Sequence, residues 1–137
     1  MDLVGAWRLV EWRIGAPGSG VSHPFGRDAV GLLCYTPDGY MSMTVSRAGH
    51  APSPAGSPWG ASPEPLTEPS AEASASFLSY AGRYEIREGQ IAHDVELSLD
   101  RSVAGAVQVR ELNVNGDRLV LATSERGDWH TMIWRRS

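Results

Sequence analysis

Gly31-Leu32-Leu33-Cys34-Tyr35-Thr36-Pro37-Asp38-Gly39-Tyr40-Met41-Ser42-Met43 reads as two apolar strands folded back on one tight turn. Proline presets φ at the turn and glycine accepts a left-handed backbone, so Pro37-Asp38-Gly39 sets a hairpin between strands at 29–36 and 40–46. Upstream, residues 3–14 form a long first strand, followed by a Gly- and Pro-rich connection at 15–20 and an extended lead-in broken by Pro24. Downstream the chain meanders. Strands at 82–87 and 90–99 meet at Glu88-Gly89, and strands at 106–114 and 118–124 meet at Asn115-Gly116-Asp117, whose Asn and Gly tolerate positive φ. A last strand covers 129–135. Short strands at this spacing, with turn signals between them, predict an all-β antiparallel fold and not a parallel α/β sheet.

Both ends of this series carry bulky anchors. Gly5-Ala6-Trp7 opens the first strand and Trp134-Arg135-Arg136 closes the last. If those strands pair, the sheet closes into a barrel, and an arginine there can stack on a tryptophan face. A closed barrel of about eight strands has an interior just wide enough for side chains or one small ligand.

One stretch breaks the pattern. Residues 47–69 are rich in Ala, Pro, Ser and Gly, contain His50, Trp59 and Leu66, and show no sustained period. A loop of that length in a compact domain reads as a lid, a binding loop or a disordered segment; as a lid, it has Trp59 available to close over a ligand. Pro69-Ser70-Ala71-Glu72 then has the form of a helix start, with Ser70 as N-cap and an acid in the first turn. The spacing predicts a helix over 70–81, presenting Ala73, Phe77 and Tyr80 on one face.

Length and composition narrow the function classes. The 137 residues make one domain, long enough to bury a core without disulfides or metals. A formal charge of −4 argues against nucleic acid as a partner, because phosphate binding needs a basic face. All twelve basic residues are arginine. No apolar run approaches the roughly 18 residues that span a bilayer, and Met1-Asp2-Leu3 does not begin a signal peptide, so a cytoplasmic location without membrane contact is expected. The lone Cys34 sits in an apolar strand and reads as a packing residue. Scattered histidines give no zinc spacing, and no nucleophile elbow, phosphate loop or dinucleotide fingerprint appears, so no metal or cofactor is expected.

Gly5-x-Trp7, Pro24-Phe25-Gly26, the segment from Gly31 to Met41, Gly82-x-Tyr84, His93, Gln108-Val109-Arg110, Gly116-Asp117-Arg118-Leu119 and Trp134-Arg135-Arg136 together resemble the lipocalin-like domain family of bacteria and fungi. The resemblance spans nearly the whole chain, the loop before Ser70 excepted. It implies a small antiparallel barrel with an internal cavity. Some similar barrels from natural-product pathways are cofactor-free cyclases or isomerases. The chain departs from the paired histidines expected in the family, carrying His93-Asp94.

Strand alternation sorts the side chains of such a barrel into inward and outward sets. Trp7 pointing inward, as the resemblance implies, takes Leu9, Glu11 and Arg13 with it unless a bulge resets the phase. His93 shares the apolar face of its strand with Val95, Leu97 and Leu99. Periodicity puts Arg110 outside, because Val107 and Val109 form the more apolar side, whereas the resemblance puts it inside. Trp7, Leu9, Leu33, Tyr35, Met41, Met43, Tyr84, Ile86, Leu97, Leu119, Leu121, Met132 and Trp134 are the expected core. The candidate site is an apolar pocket with a few polar points. His93, Tyr84 and Arg110 are its candidate catalytic groups, and Tyr35, Tyr40, Gln108, Glu11, His130 and Trp59 its candidate ligand contacts. A buried Arg110 calls for a carboxylate, from Glu11 or from a ligand. The expected ligand is small, hydrophobic or weakly acidic, and the expected assembly a monomer or homodimer. Three functions compete: a cofactor-free cyclase or isomerase acting on an apolar metabolite, a carrier that uses the same cavity without chemistry and, behind these two, a structural partner in a complex with the Pro-rich loop as its contact segment.

Overall fold

A computed structural model describes residues 2–16, 18, 20–49 and 77–137. They form nine antiparallel strands: β1 (Gly5–Gly15), β2 (Val21–Ser22), β3 (Val30–Tyr35), β4 (Tyr40–Ser46), β5 (Phe77–Arg87), β6 (Gln90–Ser98), β7 (Val107–Asn115), β8 (Arg118–Glu125) and β9 (Asp128–Arg136). From β3 onward each strand pairs with the next, β1 pairs with both β3 and β9, and the sheet is therefore a closed barrel. The short β2 lies outside the ring, paired to the end of β1. No helix among the described residues is long and apolar enough to cross a membrane.

The turns sit where their residues demand. Gly39 has a φ of 96° and Gly116 a φ of 61°, conformations open to glycine and costly for residues with a Cβ. The first and last strands meet as their anchors suggest. The Arg136 guanidinium lies 4.2 Å over the Trp7 ring and donates to the Val4 and Asp2 carbonyls, while the Trp7 indole N–H donates to the Leu3 carbonyl. Leu3, Trp7, Leu33, Tyr35, Leu119 and Trp134 are buried together and pack this end of the barrel solid.

Two bulges divide the ring. In β1, Leu9 faces Trp134 and Glu11 faces Ile133, so Val10 is an extra residue. The inward set therefore changes from Trp7 and Leu9 to Trp12 and Ile14, because a one-residue slip moves side chains to the opposite face. Glu11 and Arg13 are turned out of the barrel, where Glu11 pairs with Arg13 and with His23. In β6, Ala81 faces Leu97 and Gly82 faces Val95, making Glu96 the extra residue. Leu97 is thereby 72% exposed and leaves the expected core. Ile86 leaves it too, at 44% exposure, because it lies at the tip of the β5–β6 hairpin. Cys34 is half-buried on the outward side of β3, between the buried Leu33 and Tyr35, and is no core residue.

The expected helix is corrected over its second half. Residues 77–81 belong to β5, pairing with β4 from Ser46–Phe77 through Ser42–Ala81. Leu78 and Tyr80 point inward there, so the local helical spacing gives way to a strand ladder and a buried aromatic. Residues 50–76, which hold Trp59, all but the first three residues of the proposed lid and the first part of the expected helix, lie outside the described residues.

Candidate functional site

At the end of the barrel from which the connection between β4 and β5 departs, the interior is hollow. A cavity of about 190 Å³ is lined by Trp12, Met43, Leu78, Tyr80, Val103, Leu121 and Met132, with His93, Gln108, Arg110 and His130 as further polar points. Each wall has a local cause. Trp12 arrives through the bulge at Val10, and Tyr80 through the β4–β5 ladder. Gln108 and Arg110 are opposite His93 and Ile91 on the neighbouring strand. The inward reading of Arg110 therefore holds, and the more apolar alternate set, Val107 and Val109, faces outward.

His93 is fully buried between two phenols. The Tyr35 hydroxyl is 2.7 Å from its Nε2 and the Tyr80 hydroxyl 2.7 Å from its Nδ1. Burial drives the imidazole down to about 3, with the Arg110 charge acting in the same direction. Burial also pushes Tyr80 up to about 12 and Tyr35 well above the ordinary phenol range. At neutral pH the three groups are uncharged and hydrogen-bonded to one another.

Arg110 is the cation of this wall. Its guanidinium donates to Gln108 Oε1 at 3.1 Å and to the Val109 carbonyl at 3.3 Å, and among the described residues it has no carboxylate partner. Glu11, the carboxylate expected to face it, is held outside by the His23 ring at 2.9 Å, which lowers its pKa. His130 lies at the rim, 3.7 Å from Glu125.

The remaining candidates do not line the cavity. Tyr35 sits behind His93, 2% exposed. Tyr84 packs edge-on against Tyr35 and donates its hydroxyl to the Thr36 carbonyl at 2.7 Å. Tyr40 is on the outer surface, under the Arg83 guanidinium at 4.9 Å. Four lining residues escaped the sequence reading: Leu78 and Tyr80, in the stretch assigned to a helix, Val103, between two expected strands, and Trp12, on the outward phase until the bulge is known. The alternation Leu78, Tyr80, Gly82, Tyr84 was the signal that could have found Tyr80. Among the described residues no cluster of His, Cys, Asp or Glu could hold a metal ion.

Residues 4–137, whose described part forms an eight-stranded ring with a ninth strand outside it, match the lipocalin-like domain. The chain belongs to the lipocalin-like domain family. No match was found among curated proteins. A crystal structure of an uncharacterized protein from Bacteroides eggerthii is similar in fold, with a TM-score of 0.50 and 11% identity, over 99% of this chain and 100% of that one. The lipocalin-like barrel thus has an interior compatible with a small hydrophobic guest, a common place for such sites.

Proposed function

We propose that this lipocalin-like barrel binds one small, mostly apolar organic molecule in the cavity between Trp12, Met43, Leu121 and Met132. The observation that carries this reading is the cavity itself. Its 190 Å³ exceeds the roughly 150 Å³ that suffices for an apolar pocket to take up benzene, so the guest is a single ring or a chain of similar bulk. The test is a titration with toluene followed by methyl NMR. Shifts confined to Met43, Leu78, Val103, Leu121 and Met132 are expected; no shift, or shifts only on the outer surface, overturns the reading.

A second reading, a cofactor-free cyclase or isomerase, is favoured by one observation. Tyr80 and Arg110 line the same cavity, so a guest carbonyl could be polarised by a phenol and a cation together. The roles differ from a histidine-base mechanism. An imidazole with a pKa of about 3 and both nitrogens occupied is a poor proton acceptor at neutral pH, and the Tyr84 hydroxyl is engaged by Thr36. Turnover of a ketone-bearing substrate that falls 10²-fold or more in Tyr80→Phe, with folding intact, is the result this reading requires.

A further inference from the structure

We infer that the cavity is a receptor for an organic carboxylate, held by hydrogen-bond donors alone, with the Tyr80 hydroxyl aimed at it by the Tyr35–His93 pair. The inference rests on the reading of the cavity as a small-molecule site and adds the guest's polar group.

The argument follows the protons. His93 has one N–H and one bare nitrogen, each facing a phenol oxygen. Suppose Tyr80 donates to Nδ1. Then Nε2–H donates to Tyr35, and the Tyr35 hydrogen is left without an acceptor in solid core, where Tyr35 is 2% exposed and no second partner exists among the described residues. Burying a hydroxyl hydrogen unpaired is costly. The opposite arrangement has no such defect. Tyr35 donates to Nε2, Nδ1–H donates to Tyr80, and the remaining hydrogen is on Tyr80, which lines the cavity. The buried phenol thereby fixes the tautomer, and the tautomer turns Tyr80 into a donor toward the guest.

The neighbouring groups have the same polarity. Arginine can only donate, so the Gln108 atom facing Arg110 is the amide oxygen, and the amide NH₂ is left as a donor. Arg110 has donors to spare and no carboxylate to meet them among the described residues. Both His93 nitrogens are taken. Among the described lining side chains, only His130 at the rim keeps an acceptor nitrogen. A wall of donors with one permanent cation fits a guest whose polar end only accepts and is negatively charged. In a pocket of this size, a ring with a short carboxylate arm fits.

The experiment is a matched series measured by calorimetry: phenylacetate, its methyl ester, phenylacetamide and phenethylamine. Phenylacetate is expected to bind tightest, by roughly 10- to 100-fold over the ester, the usual worth of hydrogen bonds to a charged group. Arg110→Gln and Tyr80→Phe should each reduce phenylacetate binding about 10-fold or more and ester binding by less, while toluene still binds, which shows that the cavity is intact. Tyr35→Phe frees the His93 tautomer and should lower the acid-to-ester ratio while toluene affinity is unchanged. In the unaltered protein, ¹⁵N NMR of His93 should show the proton on Nδ1. Equal affinity for acid and ester, tighter binding of the amine, or a proton on Nε2 overturns the inference while the cavity reading stands. Binding of none of the four, together with no response to toluene, overturns both.

Discussion

His93 should make this protein acid-labile well above the pH at which carboxylates titrate. The imidazole is fully buried between Tyr35 and Tyr80, and its pKa is about 3 in the fold against 6.5 in an exposed chain. A folded pKa below the unfolded one means that the histidine contributes its full stability above about pH 6.5. That contribution then drains as the unfolded chain takes up a proton the native chain refuses. The slope is about 1.4 kcal/mol per pH unit, so moving from pH 7 to pH 5 should cost roughly 2 kcal/mol from this one group. Urea unfolding at pH 7, 6 and 5 measures it, with the m-value confirming that the same surface is exposed each time. His93→Gln can hydrogen-bond both phenols without titrating. The variant should therefore be less stable at pH 7 but lose about 2 kcal/mol less on acidification, whatever His23 and His130 contribute to both proteins. Parallel pH profiles for the two proteins would refute the reasoning, because they would mean that the imidazole takes up protons equally in the folded and unfolded states.

Three further outcomes follow from the packing. Trp7→Ala should lower stability by roughly 3–5 kcal/mol in denaturant titration, since it removes the buried ring on which Arg136 rests; an unchanged midpoint would show the barrel end does not depend on it. Gly82→Ala should cost about 3 kcal/mol or more, because a Cβ would stand 1.9 Å from the Asp94 carbonyl oxygen, and a variant with wild-type melting would deny that close approach. Arg110→Met should leave the empty protein as stable or more stable, by on the order of 1 kcal/mol, because it replaces a half-buried cation, without a carboxylate partner among the described residues, by an apolar side chain. A loss above about 2 kcal/mol in thermal unfolding would mean the guanidinium serves the fold and not a guest.

The turns were legible because their chemistry is local: Pro37-Asp38-Gly39 and Asn115-Gly116 announce themselves within a few residues. Closure was legible from Trp7 and Arg136, since a large ring and a planar cation at opposite ends of the chain have few other uses. The cavity was only half legible. Whether Arg110 points in depends on the pairing of Gln108 with His93, a contact between strands that no window of sequence contains. Trp12 and Leu97 were assigned to the wrong faces because a bulge is one extra residue with no compositional mark. Tyr80 was hidden by an apolar spacing that suits a helix in isolation and a strand once β4 is beside it. The polar relay at the heart of the site, Tyr35–His93–Tyr80, joins three strands and exists only after closure.

The bulge at Val10 lets one strand serve two compartments, sealing the barrel with Trp7 and furnishing the cavity with Trp12. The border between solid and hollow is therefore a matter of register. Suppressing the bulge with every residue kept would rotate Trp12 and Ile14 to the outside and bring Glu11 and Arg13 in, exchanging a greasy wall for a charged one, whereas deleting Val10 itself would leave a regular ladder with Trp12 still inward. For a scaffold of this kind, single-residue insertions and deletions inside strands are a route to new ligand preferences that substitution libraries never sample. Val10 and Glu96 are the two positions where the backbone already accommodates such a change.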